Sequence, residues 1–465
     1  MTVRVLEADY LVVGAGAMGM AFVDEILTQS PTDLVILVDK NAKAGGHWND
    51  AYSFVSLHQP AAFYGVNSEK LGSGGAALAS GSEVLAYYER VLAKLLATGR
   101  LRHFPMCASS GDGRFESLVE ADLEYQVTVR KKTVDATYMN VQVPSTRDPQ
   151  YPVSSEISLV PPNDLPGVRR PGSGYVIIGA GKTGMDAALF LLDRGVEPDR
   201  ISWIIPNDAW LLDRAQIQPG RVLDQGLGGQ FQNIADASSL TELLSSLDAG
   251  ERLLRLDKDI WPTKYRCATV SLEELEQLRR IKNVVRMGRV VRIDADAIVL
   301  EEGSLPTDSE KLHVDCTADG LAKRKIRPVF DGDSITLQSL FMCQQVFSAA
   351  VIGNVEVRID GEQRKNELCR VVPHPEFSRD FVLAMAVSLN NMEGWGREFG
   401  MWLRRSRLSM AHHDSLIKLL IGAFRTRKVM PVAVEKMRLI IEQEFGVEAV
   451  FEESSSSGSP AAPAG

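Results

Sequence analysis

Apolar residues run unbroken from Tyr10 to Val13 and then give way to a glycine-rich turn, Gly14-Ala15-Gly16-Ala17-Met18-Gly19. Beyond the turn the period changes. Met18, Phe22 and Ile26 recur at helical spacing up to about Gln29, with Asp24 and Thr28 on another face, so a buried strand is predicted to feed a helix. A second apolar strand, Asp33 to Lys40, ends in Asp39. The same alternation returns at Tyr175 to Ile178, followed by Gly179-Ala180-Gly181-Lys182-Thr183-Gly184, a helical stretch and a strand from Ile201 to Ile205.

Between the two copies the pattern predicts a helix over Ser82–Ala97, with Ser82 as its cap and Gly99 beyond its end. Short strands follow at His103–Met106, Phe115–Ala121, Glu124–Lys131 and Thr133–Tyr138, with turns at Gly111-Asp112-Gly113 and near Lys132. Residues 143–173 are rich in Pro, Ser and Gly and read as a connection. After the second copy come helices at Leu240–Leu247 and Ser271–Ile281, the latter with Ser271 as cap and Glu274 three residues on. Val284–Val291, Arg292–Ala295 and Ala297–Glu301 read as a meander. The strand Lys311–Thr317 ends in Ala318-Asp319-Gly320, and another strand lies around Ile335–Leu337. From Glu376 the chain reads as helix, at Ser378–Leu389, Trp395–Arg405, His412–Phe424 and Val432–Phe445. Amphipathic spacing there favours core or subunit packing, which leaves homo-oligomer formation open, and a lid over a substrate is the sharper alternative. His412 and His413 are adjacent on a helix and point apart, so they make no metal pair.

Both glycine turns fit G-x-G-x-x-G between a strand and a helix, the setting in which this pattern binds a dinucleotide. Gly14 allows the tight turn, Gly16 admits a pyrophosphate and Gly19 lets helix and strand pack closely. The helix start, at Ala17 and Met18, supplies N–H donors to the phosphates. Asp39, 25 positions after Gly14, stands where a carboxylate holds ribose hydroxyls, with Lys40 beside it. Gly179, Gly181 and Gly184 repeat these roles with Lys182 and Thr183 at the helix start. Pro206 occupies the place of Asp39, followed by Asn207 and Asp208, and Arg214 is the nearest downstream arginine. Pyrophosphate binding is therefore predicted at the second turn, with NADH and NADPH both open.

Composition narrows the class. The 465 residues carry a net charge of −9, which argues against a nucleic-acid or anionic-membrane surface. No apolar run approaches the ~20 residues that span a bilayer. The first strand starts within ten residues of Met1, so a soluble, cytoplasmic protein without a leader is expected. Cys107, Cys267, Cys316, Cys343 and Cys369 are scattered singly. No C-x-x-C pattern occurs, so neither a zinc site nor a redox-active disulfide is expected, and the metal set is empty.

Just after Asp39-Lys40 stands Gly45-Gly46-His47-Trp48, and then His58-Gln59 and Tyr64 in an irregular stretch dense in aromatic and polar groups. His58, Gln59, Trp48 and Tyr64 are placed on the wall of a site by that loop position alone. An N-terminal G-x-G-x-x-G, an Asp-Lys strand end and Gly-Gly-x-Trp together resemble the flavin-containing and Baeyer–Villiger monooxygenases. The F-x-G-x-x-x-H pattern of those families is absent from residues 150–172. The resemblance implies an α/β fold with two Rossmann-like dinucleotide-binding domains, FAD in the first and NADPH or NADH in the second. It implies that Gly14, Gly16, Gly19 and Asp39 contact the ADP part of FAD, that Gly46 and Trp48 lie beside the rest of it, and that Ala318, Asp319 and Gly320 belong to the return towards the flavin. The expected division is 1–165 as the first part of the FAD domain, 172–310 as the NAD(P) domain, 311–375 as the return segment, 376–450 as a helical region and 451–465 as a disordered tail. The expected activity is oxygenation of a small organic substrate by O₂ through an oxygenated flavin. A flavin dehydrogenase or oxidase with a degenerate second site, and a nucleotide-binding protein without turnover, are the alternatives. No catalytic acid or base is assigned.

Overall fold

The strand predicted around Tyr10 is much longer than its apolar run. It spans Thr2–Val13, exposed over its first half and buried from Ala8 onward, because it pairs in parallel along its whole length with Leu123–Asp135. The computed structural model describes residues 2–73, 78–169, 171–218, 228–318, 324–410 and 428–446. Asp319, Gly320, the predicted helix at His412–Phe424 and the tail from 451 lie outside the described residues.

The first sheet is ordered Leu101–Phe104, Val35–Val38, Thr2–Val13, Leu123–Asp135, Ser334–Thr336, all parallel, with Phe330–Asp331 antiparallel at the edge. The chain moves outward on one side of the fingerprint strand and then crosses to the other, which creates the switch point where doubly wound sheets bind ligands. Leu123–Asp135 is one strand where two were predicted, Glu124–Lys131 and Thr133–Tyr138, because a register shift opposite Ala8 and Tyr10 absorbs the break that Lys131-Lys132 suggested.

The second sheet repeats this plan. Its order is Asn283–Val285, Ile201–Ile204, Gly174–Ile178, Lys311–Asp315, Ser158–Val160, again parallel throughout. Lys311–Asp315, expected in the return segment, is therefore an inner strand of the second sheet, paired residue for residue with the second fingerprint strand. A buried apolar run is compatible with either sheet; only the pairing decides. The predicted meander is displaced for a related reason. Asn283–Val285 joins the parallel sheet, and the antiparallel unit is Val290–Ile293, Ala297–Leu300 and Gly303–Pro306. A third small sheet, Leu253–Leu254, Ala209–Asp213 and Lys264–Val270, has no counterpart in the sequence reading.

The helix expected from Ser82 begins at Gly81, and its cap is Ser80, which forms a reciprocal capping box with Glu83. The capping box of Ser271 and Glu274 forms as expected. Ala17–Gln29 is buried nearly all round, because Gln345–Arg358, a helix absent from the sequence reading, packs along it. Asp24 and Glu25, though polar, are therefore interior: Asp24 accepts from the Ser68 N–H at 3.0 Å, and Glu25 accepts from Asn67 Nδ2 at 2.8 Å and Trp402 Nε1 at 2.6 Å. The two helices predicted at 378–389 and 395–405 are one element, Asp380–Arg405, with a non-helical residue at Phe399. Just beyond it, buried Arg407 donates to the carbonyls of Ala62, Val66 and Glu69, each at 2.7 Å, and to that of Tyr64. No helix among the described residues is long and apolar enough to cross a membrane.

Candidate functional site

The two glycine turns have the same backbone. Gly16 caps the first helix at φ −74°, ψ −176°, and Gly181 caps the second at φ −75°, ψ −177°. In each turn the third glycine is held by sterics: a Cβ at Gly19 would lie 1.9 Å from the Gly14 carbonyl oxygen, and one at Gly184 would lie 2.1 Å from that of Gly179. Both helices consequently start directly over their turns, with their first N–H groups free of any side-chain cap. In front of the first turn, Gly46 at φ +58° faces Gly16 so closely that a Cβ on it would come 2.9 Å from the Gly16 Cα. In front of Gly181 the space is open.

Both turns open into one cavity of about 1370 Å³. Of the candidate residues, Gly14, Gly16, Ala17, Met18, Asp39, Lys40, Gly46, His47, Trp48, His58, Gln59 and Tyr64 line it from the first side. Gly179, Gly181, Lys182, Thr183, Asn207 and Ala318 line it from the second. Gly19 and Gly184 sit behind their turns, where they let helix and strand meet. The switch points also deliver their crossing strand ends to this cavity, Ala136 and Thr137 from the first sheet and Cys316 and Thr317 from the second.

Asp39 is buried, and its two oxygens accept from the backbone N–H groups of Ala15 at 2.5 Å and Asn41 at 2.7 Å. The carboxylate thus holds the turn as well as facing the cavity, and its remaining lone pairs are available to a ligand hydroxyl. Trp48 donates from Nε1 to the Tyr64 hydroxyl at 2.6 Å, which fixes both rings on the wall. Burial pushes the Tyr64 hydroxyl up to about 12 and pulls His47 down to about 4. Burial also lowers His58 to about 4, helped by the positive charges of Lys182 and Arg214, so His58 is neutral and its Nδ1 has no partner. Gln344 and Gln345, at the start of the helix packed on Ala17–Gln29, likewise present buried Oε1 atoms without partners to the same cavity.

The cations near the second turn are engaged. Lys182 pairs with Asp186, which also accepts from the Tyr52 hydroxyl at 2.7 Å. Arg214 is buried, forks onto Glu274 at 2.7 and 3.2 Å and donates to the His58 carbonyl at 3.1 Å. It braces the His58 loop. Arg286, past the end of the outermost strand, forks onto Asp208. Arg289, a few residues on, is exposed on the cavity rim.

Sequence reasoning missed the remaining wall. It includes Lys264–Thr269 of the third sheet, Phe341, Met342 and Cys343 of the Phe341–Val346 loop, His374, and Phe381, Met385, Leu389 and Met392 of the long C-terminal helix, whereas Gln344 and Gln345 of that loop stand out in the sequence as a glutamine-rich run. Lys264 pairs with Glu376 at 3.1 Å and Arg266 with the same carboxylate at 3.4 Å. These residues carry no motif, and their convergence depends on tertiary contacts between distant segments. The sequence reading also gave no pairing for the scattered cysteines: Cys267 and Cys343, 76 positions apart, form a disulfide on this wall. Spacing rules detect local pairs, and this one is made only when the third sheet meets the Phe341–Val346 loop.

No family model matches the sequence. Over 426 residues it is 46% identical to Uncharacterized protein Rv2000 of Mycobacterium tuberculosis and, to the same degree, to Uncharacterized protein Mb2023 of Mycobacterium bovis; the match covers 88% of this chain and 78% of each relative. Solved structures similar to this chain are flavin-containing and Baeyer–Villiger monooxygenases. A flavin-containing monooxygenase from Stenotrophomonas maltophilia shares 16% identity over 76% of this chain and 98% of its own, with a TM-score of 0.44. Cyclohexanone monooxygenase from Rhodococcus sp. Phi1, bound to NADP+, shares 13% over 76% and 86%, with a TM-score of 0.47.

Proposed function

This chain belongs to one family with the mycobacterial proteins Rv2000 and Mb2023, and from that premise we propose that it is an FAD-dependent, NAD(P)H-using oxidoreductase that oxygenates a small organic substrate with O₂. The carrying observation is that two superimposable glycine turns, each at a sheet switch point, open into one cavity. Two separate nucleotide sites would serve two unrelated ligands; a shared cavity lets two redox cofactors meet.

The residues fit an FAD on the first side. The Gly16–Gly46 approach leaves bare backbone for a pyrophosphate, Asp39 has acceptor capacity for the ribose, and the helix start at Ala17 and Met18 offers N–H donors. The unpartnered amide oxygens of Gln344 and Gln345 are suited to the N–H donors of a heterocycle. The open space before Gly181 and the free helix start at Lys182 and Thr183 fit the second pyrophosphate. When bound, the flavin supplies the electron transfer and the oxygen chemistry. The chain's own part is positional. Trp48 and Tyr64 hold each other rigid on the wall, Arg214 fixes the His58 carbonyl, and neutral His58 keeps a hydrogen-bonding nitrogen towards the cavity. Phe341, Phe381, Met385, Leu389 and Met392 shut water out of the far end. The substrate we place there is apolar and of modest size.

The engaged cations around the second turn, with Pro206 at the strand end, favour one competing reading, a flavin dehydrogenase or oxidase that draws electrons from its substrate. Anaerobic mixing of the purified protein with NADH and NADPH, followed by air, separates the two. Flavin bleaching by a nicotinamide and substrate-stimulated O₂ uptake with an oxygenated product are expected. A flavin that neither nucleotide reduces would discard the monooxygenase in favour of the dehydrogenase, and a colourless protein would remove both.

A further inference from the structure

Cys267 stands where the third sheet departs from regular pairing. Trp210 pairs with Tyr265 and Leu212 with Thr269, so Arg266-Cys267-Ala268 bulges out opposite Leu211 alone. Within that bulge Cys267 has φ +55°, a left-handed conformation that non-glycine residues adopt at a cost. Its disulfide partner, Cys343, follows Met342, which is also left-handed at φ +40°. Two strained residues and a bulge therefore meet at one bond on the cavity wall, and such features concentrate where a protein does something other than pack. Cys267 is buried, Cys343 is half-buried, and both line the cavity, the space from which a reagent arrives. The other three cysteines, Cys107, Cys316 and Cys369, are buried and free.

The bond also joins two walls. The strand Lys264–Val270 is held by pairing with Ala209–Asp213 and by the Tyr265 ring against Phe381, with Glu376 and Phe377 at one end and the His58 carbonyl at the other. The Phe341–Val346 loop leads into the helix packed on the first fingerprint helix, and Met342 is otherwise held by a hydrogen bond of 2.7 Å to Ser388.

We propose that Cys267–Cys343 is a thiol–disulfide exchange site whose reactant is a small cellular dithiol, and that its reduction loosens the cavity wall. A thiolate of the dithiol attacks Cys343 Sγ, the S–S bond breaks, and Cys267 leaves as a thiolate that takes up a proton. The second thiol of the reagent then attacks the mixed disulfide and releases Cys343 as a thiolate, which is also protonated. The protein pair gains two electrons and two protons, and the dithiol is oxidised to its disulfide. The same steps in reverse, with a disulfide as oxidant, close the bond. This activity does not depend on the proposed flavin chemistry, and its test reads neither flavin nor product.

The full-length protein, purified without reductant, is alkylated natively before and after treatment with dithiothreitol, and the peptides are mapped by mass. Cys267 and Cys343 are expected to be linked as purified and to label together after native reduction, while Cys107, Cys316 and Cys369 stay unlabelled. Hydrogen exchange in peptides covering 264–270 and 341–346 is expected to rise about tenfold or more on reduction, with the 17–29 helix unchanged. The Cys267→Ser/Cys343→Ser double variant should show the fast exchange without reductant and no further response. Two results would overturn the proposal: labelling of the pair only after denaturation, or native reduction with no change in exchange. Because reduction is applied to the wild-type chain, the outcome is decided even if the variant fails to fold.

Discussion

Asp39 ties the first glycine turn together while facing the cavity, where we propose that it also takes a ribose. Its acceptance from the Ala15 and Asn41 N–H groups rigidifies the first glycine turn before any nucleotide arrives. Asp39→Ala leaves two N–H groups without acceptors, which costs about 1–3 kcal/mol. We expect the variant to be purified with at least tenfold less bound flavin, as read from its visible absorbance. Gly184 offers a sharper lesion, since a Cβ there would lie 2.1 Å from the Gly179 carbonyl oxygen. Gly184→Ala should push the second helix off its turn, abolish reduction by NAD(P)H and leave flavin content near normal. Equal loss of flavin and nucleotide binding would show instead that the whole chain had failed to fold. His58 and His47 give a pH signature. Each is held near 4 in the folded chain against an ordinary value of 6.5, so the unfolded chain binds their protons first. Their burial therefore carries no stability cost above pH 6.5, and stability is lost as pH falls from 6.5 towards 4. Urea titrations should show a loss of roughly 1–2 kcal/mol per histidine between neutral pH and pH 5, and His58→Gln should flatten that slope.

At the scale of elements, what was legible in the sequence is what short-range physics decides. Strand, turn, helix and terminal carboxylate from Tyr10 to Asp39 fall within one βαβ unit, so their roles are written in consecutive residues. The strand Lys311–Asp315 could be recognised but not assigned, because its partner sheet is chosen by pairing across more than a hundred residues. The cap of the Gly81–Leu96 helix was misplaced by two positions, since Ser80 and Ser82 both precede apolar periodicity and only Ser80 has Glu83 three residues on. Ser80→Ala should cost about 1 kcal/mol, seen as a small fall in Tm, whereas Ser82→Ala should leave Tm unchanged. The third sheet and its disulfide carried no readable signal. Cross-linking positions 76 apart limits the unfolded chain by up to roughly 4 kcal/mol. The double serine variant should accordingly unfold at lower urea, and a midpoint equal to wild type would mean that the bond constrains nothing.

The whole molecule is less modular than its two nucleotide units suggest. The long C-terminal helix packs at both ends: Trp402 reaches Glu25 on the first fingerprint helix, while Phe381, Met385 and Met392 line the cavity. Beyond it, Arg407 gathers the carbonyls of Ala62, Tyr64, Val66 and Glu69 around one guanidinium. These carbonyls belong to the segment that carries Tyr64, and through Tyr64 they steady Trp48. The order of synthesis therefore matters. A nascent chain that has emerged only as far as its second nucleotide unit holds every glycine and acid of both fingerprints, yet its first site still awaits an arginine some 340 residues downstream. Flavin capture should come late in biogenesis, after the Asp380–Arg405 helix has docked and Arg407 behind it has gathered these carbonyls.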